Sequence, residues 1–167
     1  MGTELPPSPA PRTVRTVEDL RALVGQELGV GPWHLVTQAQ VDVFAEVTGD
    51  HQYIHVDPSR ARETMYGGTI AHGYLTLSLL PRLTREREGV RLELPARMSV
   101  NYGLNRVRFP GPVLVGRRIR ARTKLLALQE AAPGAAPWVQ VTWLQTVEVE
   151  DAERPAMVAE TVTRFVF

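Results

Sequence analysis

The sequence predicts an α+β protein in which an antiparallel β-sheet wraps around one central, buried helix. Ile70, Ala71, Tyr74, Leu75, Leu77, Leu79, Leu80 and Leu83 cover nearly every face of a helix, the pattern of a helix enclosed by protein. After Pro95 the apolar period falls to two, as in strands with one buried face. The turns between those strands are too short for helical crossovers, so neighbouring strands should run antiparallel.

Residues 1–15 place Pro6, Pro7, Pro9 and Pro11 among small polar residues and lack the apolar content to hold an ordered structure. A flexible tail is expected there, with one folded domain over 16–167. Thr16, followed by Glu18 and Asp19, reads as an N-cap with acids in the first turn of a short helix through Leu20, Leu23 and Val24. Gly31 and Pro32 break the chain before a short strand at 33–36. Thr37 and Gln40 have capping-box form, and Val41, Phe44, Ala45 and Val47 follow at helical spacing. Gly49 should end that helix in a left-handed conformation and deliver Asp50 onto a loop. Residues 50–58 are expected to be irregular, with a short helix over 60–65 beginning after Pro58.

Gly67 and Gly68 interrupt the chain before the buried helix, and Pro81 should kink that helix or end its regular part. The charged run 82–91 reads as its solvated exit. Met98, Val100 and Tyr102 open the first long strand. Ile119, Ala121, Thr123 and Leu125 alternate with Arg118, Arg120, Arg122 and Lys124 in the second, and 139–149 and 157–167 supply two more. No internal repeat and no linker divides the chain.

Composition narrows the possibilities. A chain of 167 residues suffices for one domain with a substantial core and is short for two. A net charge of +1 removes the usual electrostatic reason to invoke nucleic acid or an anionic membrane as partner. With no cysteine there can be neither disulfides nor a thiolate metal site. No apolar run reaches membrane-spanning length and no signal peptide opens the sequence, so a soluble, cytoplasmic protein is expected.

Reactive groups concentrate between Val47 and Gly73. A neutral imidazole at His55 can accept a proton near pH 7, and an ionised Asp50 beside it can share a bound water, so the pair could activate water and shuttle its protons. Taken singly, an Asp and a His in a loop more often cap backbone amides or face solvent. At Gly73 the first amides of the helix lack partners and carry the positive end of its dipole, so they could hold a developing oxyanion. Taken singly, glycines there more often serve turning and close packing.

The segment Phe44-Ala-Glu-Val-Thr-Gly-Asp50, then His55, then Ile70-Ala-His-Gly73, resembles the signature of the MaoC-like (R)-specific enoyl-CoA hydratases and dehydratases, which have a hot-dog fold. Gly-Asp-His-Gln-Tyr-Ile-His and Tyr102-Gly-Leu-Asn-Arg-Val-Arg-Phe109 are similar to its NodN-like branch. The motifs span residues 37–115. The resemblance implies Asp50 and His55 as the catalytic pair, the Gly73 amide as donor to a thioester carbonyl, and a homodimer. Water held by the pair would add to C3 of a trans-2-enoyl thioester of fatty-acid metabolism, with no metal or redox cofactor. The acyl group would ride on coenzyme A or an acyl carrier protein. Gln52 and Tyr53 stand where the commoner motif has Asn-Pro, which bears on substrate scope more than on reaction type. With His72, Arg106 and Arg108 they are the expected substrate contacts.

Other assignments compete. His51 and His55 four residues apart with Asp50 and His72 could suggest a metal, but the flanking Gly and Pro argue for a loop and no fuller ligand set is visible. His51 is expected to be exposed, and His72 to fix the loop before the helix through its ring nitrogens. The row from Arg118 to Lys124 reads as the wet face of a sheet, paired with Glu148 or Glu150, and Trp33, Trp138 and Trp143 as core or interface residues. A hot-dog thioesterase would leave the Asp50 and His55 spacing unexplained, and a non-catalytic acyl-binding subunit would need no intact water-holding pair.

Overall fold

The computed structural model describes residues 12–167. Residues 1–11 of the expected tail lie outside the described residues, but 12–14 are not tail. They form β1 (Arg12–Val14), parallel to β4 (Val90–Leu92), with Val14 fully buried. Helix α1 (Val17–Arg21) starts as expected, the Thr16 hydroxyl accepting the Asp19 N–H at 3.0 Å. Two short strands follow, β2 (Glu27–Val30) and β3 (His34–Leu35), both antiparallel to β6 (Arg118–Glu130).

The sheet then completes itself with β5 (Met98–Arg108), β7 (Trp138–Val149) and β8 (Met157–Val166), in the order β2-β6-β7-β8-β5. Along β7 every second residue is buried, which is the period-two pattern of the sequence made physical. The outer faces of β6 and β7 carry the cross-strand ion pairs expected of the arginine row. Arg118 pairs with Glu150, while Arg120 and Arg122 both donate to Glu148, at 2.7 and 3.0 Å. Burial raises the Glu148 pKa, but those two hydrogen bonds outweigh it and hold the carboxyl below its usual range. Trp143 is a core residue, whereas Trp33 and Trp138 lie under the guanidinium groups of Arg120 and Arg164 at 4.4 and 4.3 Å.

The helical layer lies on the inner face of this sheet. Helix α2 (Gln38–Thr48) has its complete capping box at Thr37 and Gln40, and stops at Gly49 with φ 77°, as its sequence requires. Helix α3 (Tyr53–Val56) and helix α4 (Pro58–Ala61) are single turns. Residues 50–58 are therefore less irregular than expected, and the second short helix begins two residues earlier, because Asp57 caps it by accepting the Ser59 and Arg60 amides.

The expected central helix is two pieces, α5 (Gly73–Ser78) and α6 (Leu80–Arg85), hinged at Leu79. Pro81 explains the break, since it cannot donate to the carbonyl of Leu77 and its ring crowds the preceding turn. Nor is this pair enclosed on all sides: Tyr74 is 71% exposed, and Ile70 and Ala71 precede the helix as extended backbone. Leu75, Leu80 and Leu83 face the core, joining Val36, Val41, Ile119, Ala121, Val147 and Met157 in one apolar cluster. A second cluster gathers Val14, Leu20, Leu23, Leu28, Leu125, Val141 and Trp143 at the other end of the sheet. An antiparallel sheet curved around a helix is the hot-dog arrangement.

Leu83, 1% exposed on α6, holds the helical layer to the sheet. Leu83→Ala should lower stability by about 2–5 kcal/mol, read from the urea midpoint at unchanged slope.

Candidate active site

The site begins with backbone. Residues 69–71 pair with 113–115 as a short antiparallel stretch, Ala71 donating to the Val113 carbonyl at 2.8 Å and Val115 to that of Thr69 at 2.9 Å. Ile70 meanwhile donates to the carbonyl of Ile54 at 3.0 Å, tying this stretch to α3. The carbonyl of Ile70 then lies 2.7 Å from His55 Nδ1. A carbonyl can only accept, so Nδ1 carries the proton and Nε2 presents its lone pair. Placing His55 on a one-turn helix, rather than on a free loop, fixes both the tautomer and the ring plane.

His72 completes the packing. It precedes α5, stacks on His55 with ring centroids 3.8 Å apart, and is flanked by Phe44 at 5.0 Å. Its Nε2 lies 2.9 Å from the backbone carbonyl of Asp50 and so donates to it, fixing the loop after Gly49 rather than the loop before α5. The carboxylate of Asp50 is thereby brought to the two imidazoles: one ligand atom of each of Asp50, His55 and His72 lies within 4.8 Å of the others. Asp50 is open, its side chain 54% exposed, while His55 and His72 are 7% and 3% exposed.

Not every ring nitrogen of this cluster is free to bind a further group. His72 Nε2 is committed to a carbonyl, and its Nδ1 is sealed from solvent without a partner among the described residues. Two accessible acceptors remain, His55 Nε2 and the Asp50 carboxylate, a pair suited to holding one water.

The His55 imidazole is displaced below its ordinary pKa. Burial is the main cause, and nearby His72 adds to it. The hydrogen bond to Ile70 and the charge of Asp50 oppose the shift without cancelling it. The ring is consequently a neutral base at pH 7.

Gly73 is the first residue of α5, so its N–H has no carbonyl within the helix to bond. It follows His72 directly in the chain. Its lack of a side chain has a local reason as well, since a Cβ would stand 3.0 Å from the ring of Phe109.

Some expected contacts fall elsewhere. The Gln52 side chain is exposed; its backbone N–H reaches Asp50 Oδ1 at 3.4 Å, so the carboxamide is not the group that meets the carboxylate. Tyr53 lies half-buried beneath the guanidinium of Arg60 at 4.2 Å. Arg108 donates to the carbonyl of Val107, and Arg106 stands opposite Glu160 in the sheet register. Among the described residues neither is joined to Asp50 or His55 by a hydrogen bond or ion pair. His51 is exposed, as expected, near Glu46.

The sequence reading missed Gln38. Its Nε2 donates to the His55 carbonyl at 2.7 Å and to Asp42 at 2.8 Å, while its Oε1 accepts from Thr69 at 2.6 Å. It thus clamps α3 and the 69–71 stretch to the start of α2. Nothing in its place after a capping threonine signals that duty.

Residues 19–142 match the family model of the MaoC-like domain. The chain is 47% identical over 155 residues to 3-hydroxyacyl-thioester dehydratase Z of Mycobacterium tuberculosis, covering 93% of this chain and 99% of that protein. It is 44% identical over 149 residues to nodulation protein N of Rhizobium leguminosarum, covering 89% of each. Among solved structures, the (R)-hydratase from Aeromonas caviae, described as involved in PHA biosynthesis, superposes with a TM-score of 0.65 at 27% identity, over 84% of this chain and 94% of that one.

Because the folded state holds His55 below 6.5, the unfolded chain binds more protons once the pH drops beneath that value. Stability should be intact above 6.5 and fall as the pH descends through the depressed native pKa. Titration of the His55 ring protons by NMR should give a midpoint below 6.5; a midpoint above it would contradict the site geometry.

Proposed function

The chain belongs to the MaoC-like dehydratase family, and on that premise we propose that it catalyses the reversible (R)-specific hydration of trans-2-enoyl thioesters and dehydration of (R)-3-hydroxyacyl thioesters. Asp50 and His55 are the residues that handle the water. The observation that carries this reading is the approach of the Asp50 carboxylate to His55, with α5 opening at Gly73 directly after His72.

In the hydration direction His55 Nε2 takes a proton from the water while the Asp50 carboxylate accepts its second hydrogen, aiming the oxygen at C3. The new C–O bond drives the double-bond electrons toward C2 and the thioester oxygen. That oxygen is met by the Gly73 N–H at the positive end of α5. The proton removed from water returns to C2 on the same face, so one water is added and none of its atoms is lost. Dehydration retraces the path. Each step uses groups of the chain alone, without a metal or redox cofactor. Burial, with the stacked His72 beside it, keeps His55 neutral, and the Asp50 side chain is open to solvent.

The acyl group is carried on coenzyme A or an acyl carrier protein, in the cytoplasm where such thioesters are made and used. A homodimer belongs to the same reading. Strand β5 is an end strand of the sheet, and Met98, Val100, Tyr102 and Leu104 along it are all exposed. A second copy pairing through β5 would satisfy the unpaired backbone and cover that apolar row. Sedimentation velocity should show a dimer, and Val100→Lys with Leu104→Lys should shift it to monomer.

The direct test follows loss of enoyl-thioester absorbance with crotonyl-CoA and a longer trans-2-enoyl-CoA. Asp50→Asn and His55→Gln should each reduce turnover by about 100-fold or more with unchanged circular dichroism. Near-normal rates in either variant would refute the assigned roles, and release of free thiol would mark a thioesterase. The acid limb of kcat/KM should fall below pH 6.5, following the direction of the His55 shift.

A further inference from the structure

Two buried side-chain atoms lack hydrogen-bond partners among the described residues, His72 Nδ1 and Arg87 Nε. The first belongs to the active site. The second lines a cavity of about 560 Å³ between the α5–α6 pair and the inner face of the sheet, a volume within the range of small-molecule sites. The charged run 82–91 was expected to be solvated throughout, yet Arg87 turns inward. Its one hydrogen bond among the described residues runs from Nη1 to the carbonyl of Thr84, and no carboxylate pairs with it. Burial lowers its pKa, but a guanidinium keeps its proton, so a charge remains facing the cavity.

The wall opposite is polar by design of the strands. Inner-face positions of β6 and β7 are apolar at both ends of the sheet, but between the two apolar clusters Thr123 and Gln145 stand opposite each other in register. The Thr123 hydroxyl donates to Gln145 Oε1 at 2.8 Å, which leaves the carboxamide N–H₂ free to donate. Ser99, Asn101 and Thr161 continue the polar lining, and among the described residues no acidic side chain lines the cavity. The near end lies at Leu77 and Ser78, one helical turn beyond Gly73. An acyl chain whose thioester sits at Gly73 would run along α5 and α6 toward Arg87.

We propose that this cavity takes an acyl chain ending in a carboxylate, bound by the Arg87 guanidinium with help from Gln145, so that the substrates are ω-carboxyacyl thioesters. The inference rests on the thioester reading of the site. A guanidinium fork matches a carboxylate in bidentate fashion, and a partly buried cation with no carboxylate partner among the described residues is neutralised by that ligand. A methyl-ended chain would leave the guanidinium and the carboxamide desolvated and unpaired.

Isothermal titration with sebacoyl-CoA and decanoyl-CoA, equal in chain length and both inert to hydration, tests binding without catalysis. The unmodified protein should bind sebacoyl-CoA about tenfold or more tightly. Arg87→Met should abolish that preference, while Arg85→Met, which removes the same charge from an exposed neighbour, should retain it. Equal binding of the two by the unmodified protein overturns the proposal even if Arg87→Met fails to fold, and so does a preference that survives Arg87→Met. Turnover of the matching trans-2-enoyl forms is measured alongside. Preferential binding that Arg87→Met abolishes, without turnover of either enoyl form, would uphold carboxylate recognition and refute the dehydratase reading alone.

Discussion

The hydrogen bond from His55 Nδ1 to the carbonyl of Ile70 is the contact on which the site depends. It links a one-turn helix to the stretch that leads into α5, and it leaves one imidazole nitrogen available as a base. The surrounding contacts maintain it from different directions. Ile70 returns a backbone hydrogen bond to Ile54, Gln38 holds the His55 carbonyl, and His72 stacks on the ring while gripping the loop that carries Asp50. A buried imidazole without such an arrangement would be free to rotate, and its lone pair would have no fixed direction.

Much of this was legible because local signals and function coincide at the same residues. The capping box at Thr37 and the left-handed Gly49 bound α2, and the end of α2 decides where Asp50 emerges. The alternation after Pro95 gave the long strands, and the arginine row found its glutamates across them. The short elements were less legible. Strands β1, β2 and β4 span three or four residues and form through partners distant in sequence, which no local pattern records. The single turn of α3, which carries His55, is likewise set by its tertiary contacts. Gln38 and the Ile70 carbonyl illustrate the same limit: a carbonyl has no residue type, and a glutamine at the start of a helix resembles any solvated one.

The helical layer shows how one residue can redirect an entire element. Apolar residues over 70–83 promised one enclosed helix, but Pro81 divides it at Leu79 into α5 and α6. Tyr74 is exposed beside Phe109, at a ring separation of 6.1 Å, while Leu80 and Leu83 lie in the core. The two helices then lie along the sheet without filling the space between its two apolar clusters. The gap is where Thr123, Gln145 and Arg87 meet. A longer straight helix with apolar residues throughout would have closed it.

The polar cluster before α5 and the Arg87 cavity differ in how their polar groups are balanced, and the difference has a physical consequence. Before α5, His55 and His72 are buried as hydrogen-bonded rings beside an exposed carboxylate. At Arg87 a permanently charged side chain lines the cavity with its Nε buried and without a hydrogen-bond partner among the described residues. Burying an ion without a counter-ion opposes folding, and a buried pair contributes little to stability over an apolar filling. Packing alone would therefore favour a leucine or methionine at position 87. The guanidinium is better understood as a group whose partner arrives from outside the chain, in a cavity that begins one helical turn beyond Gly73.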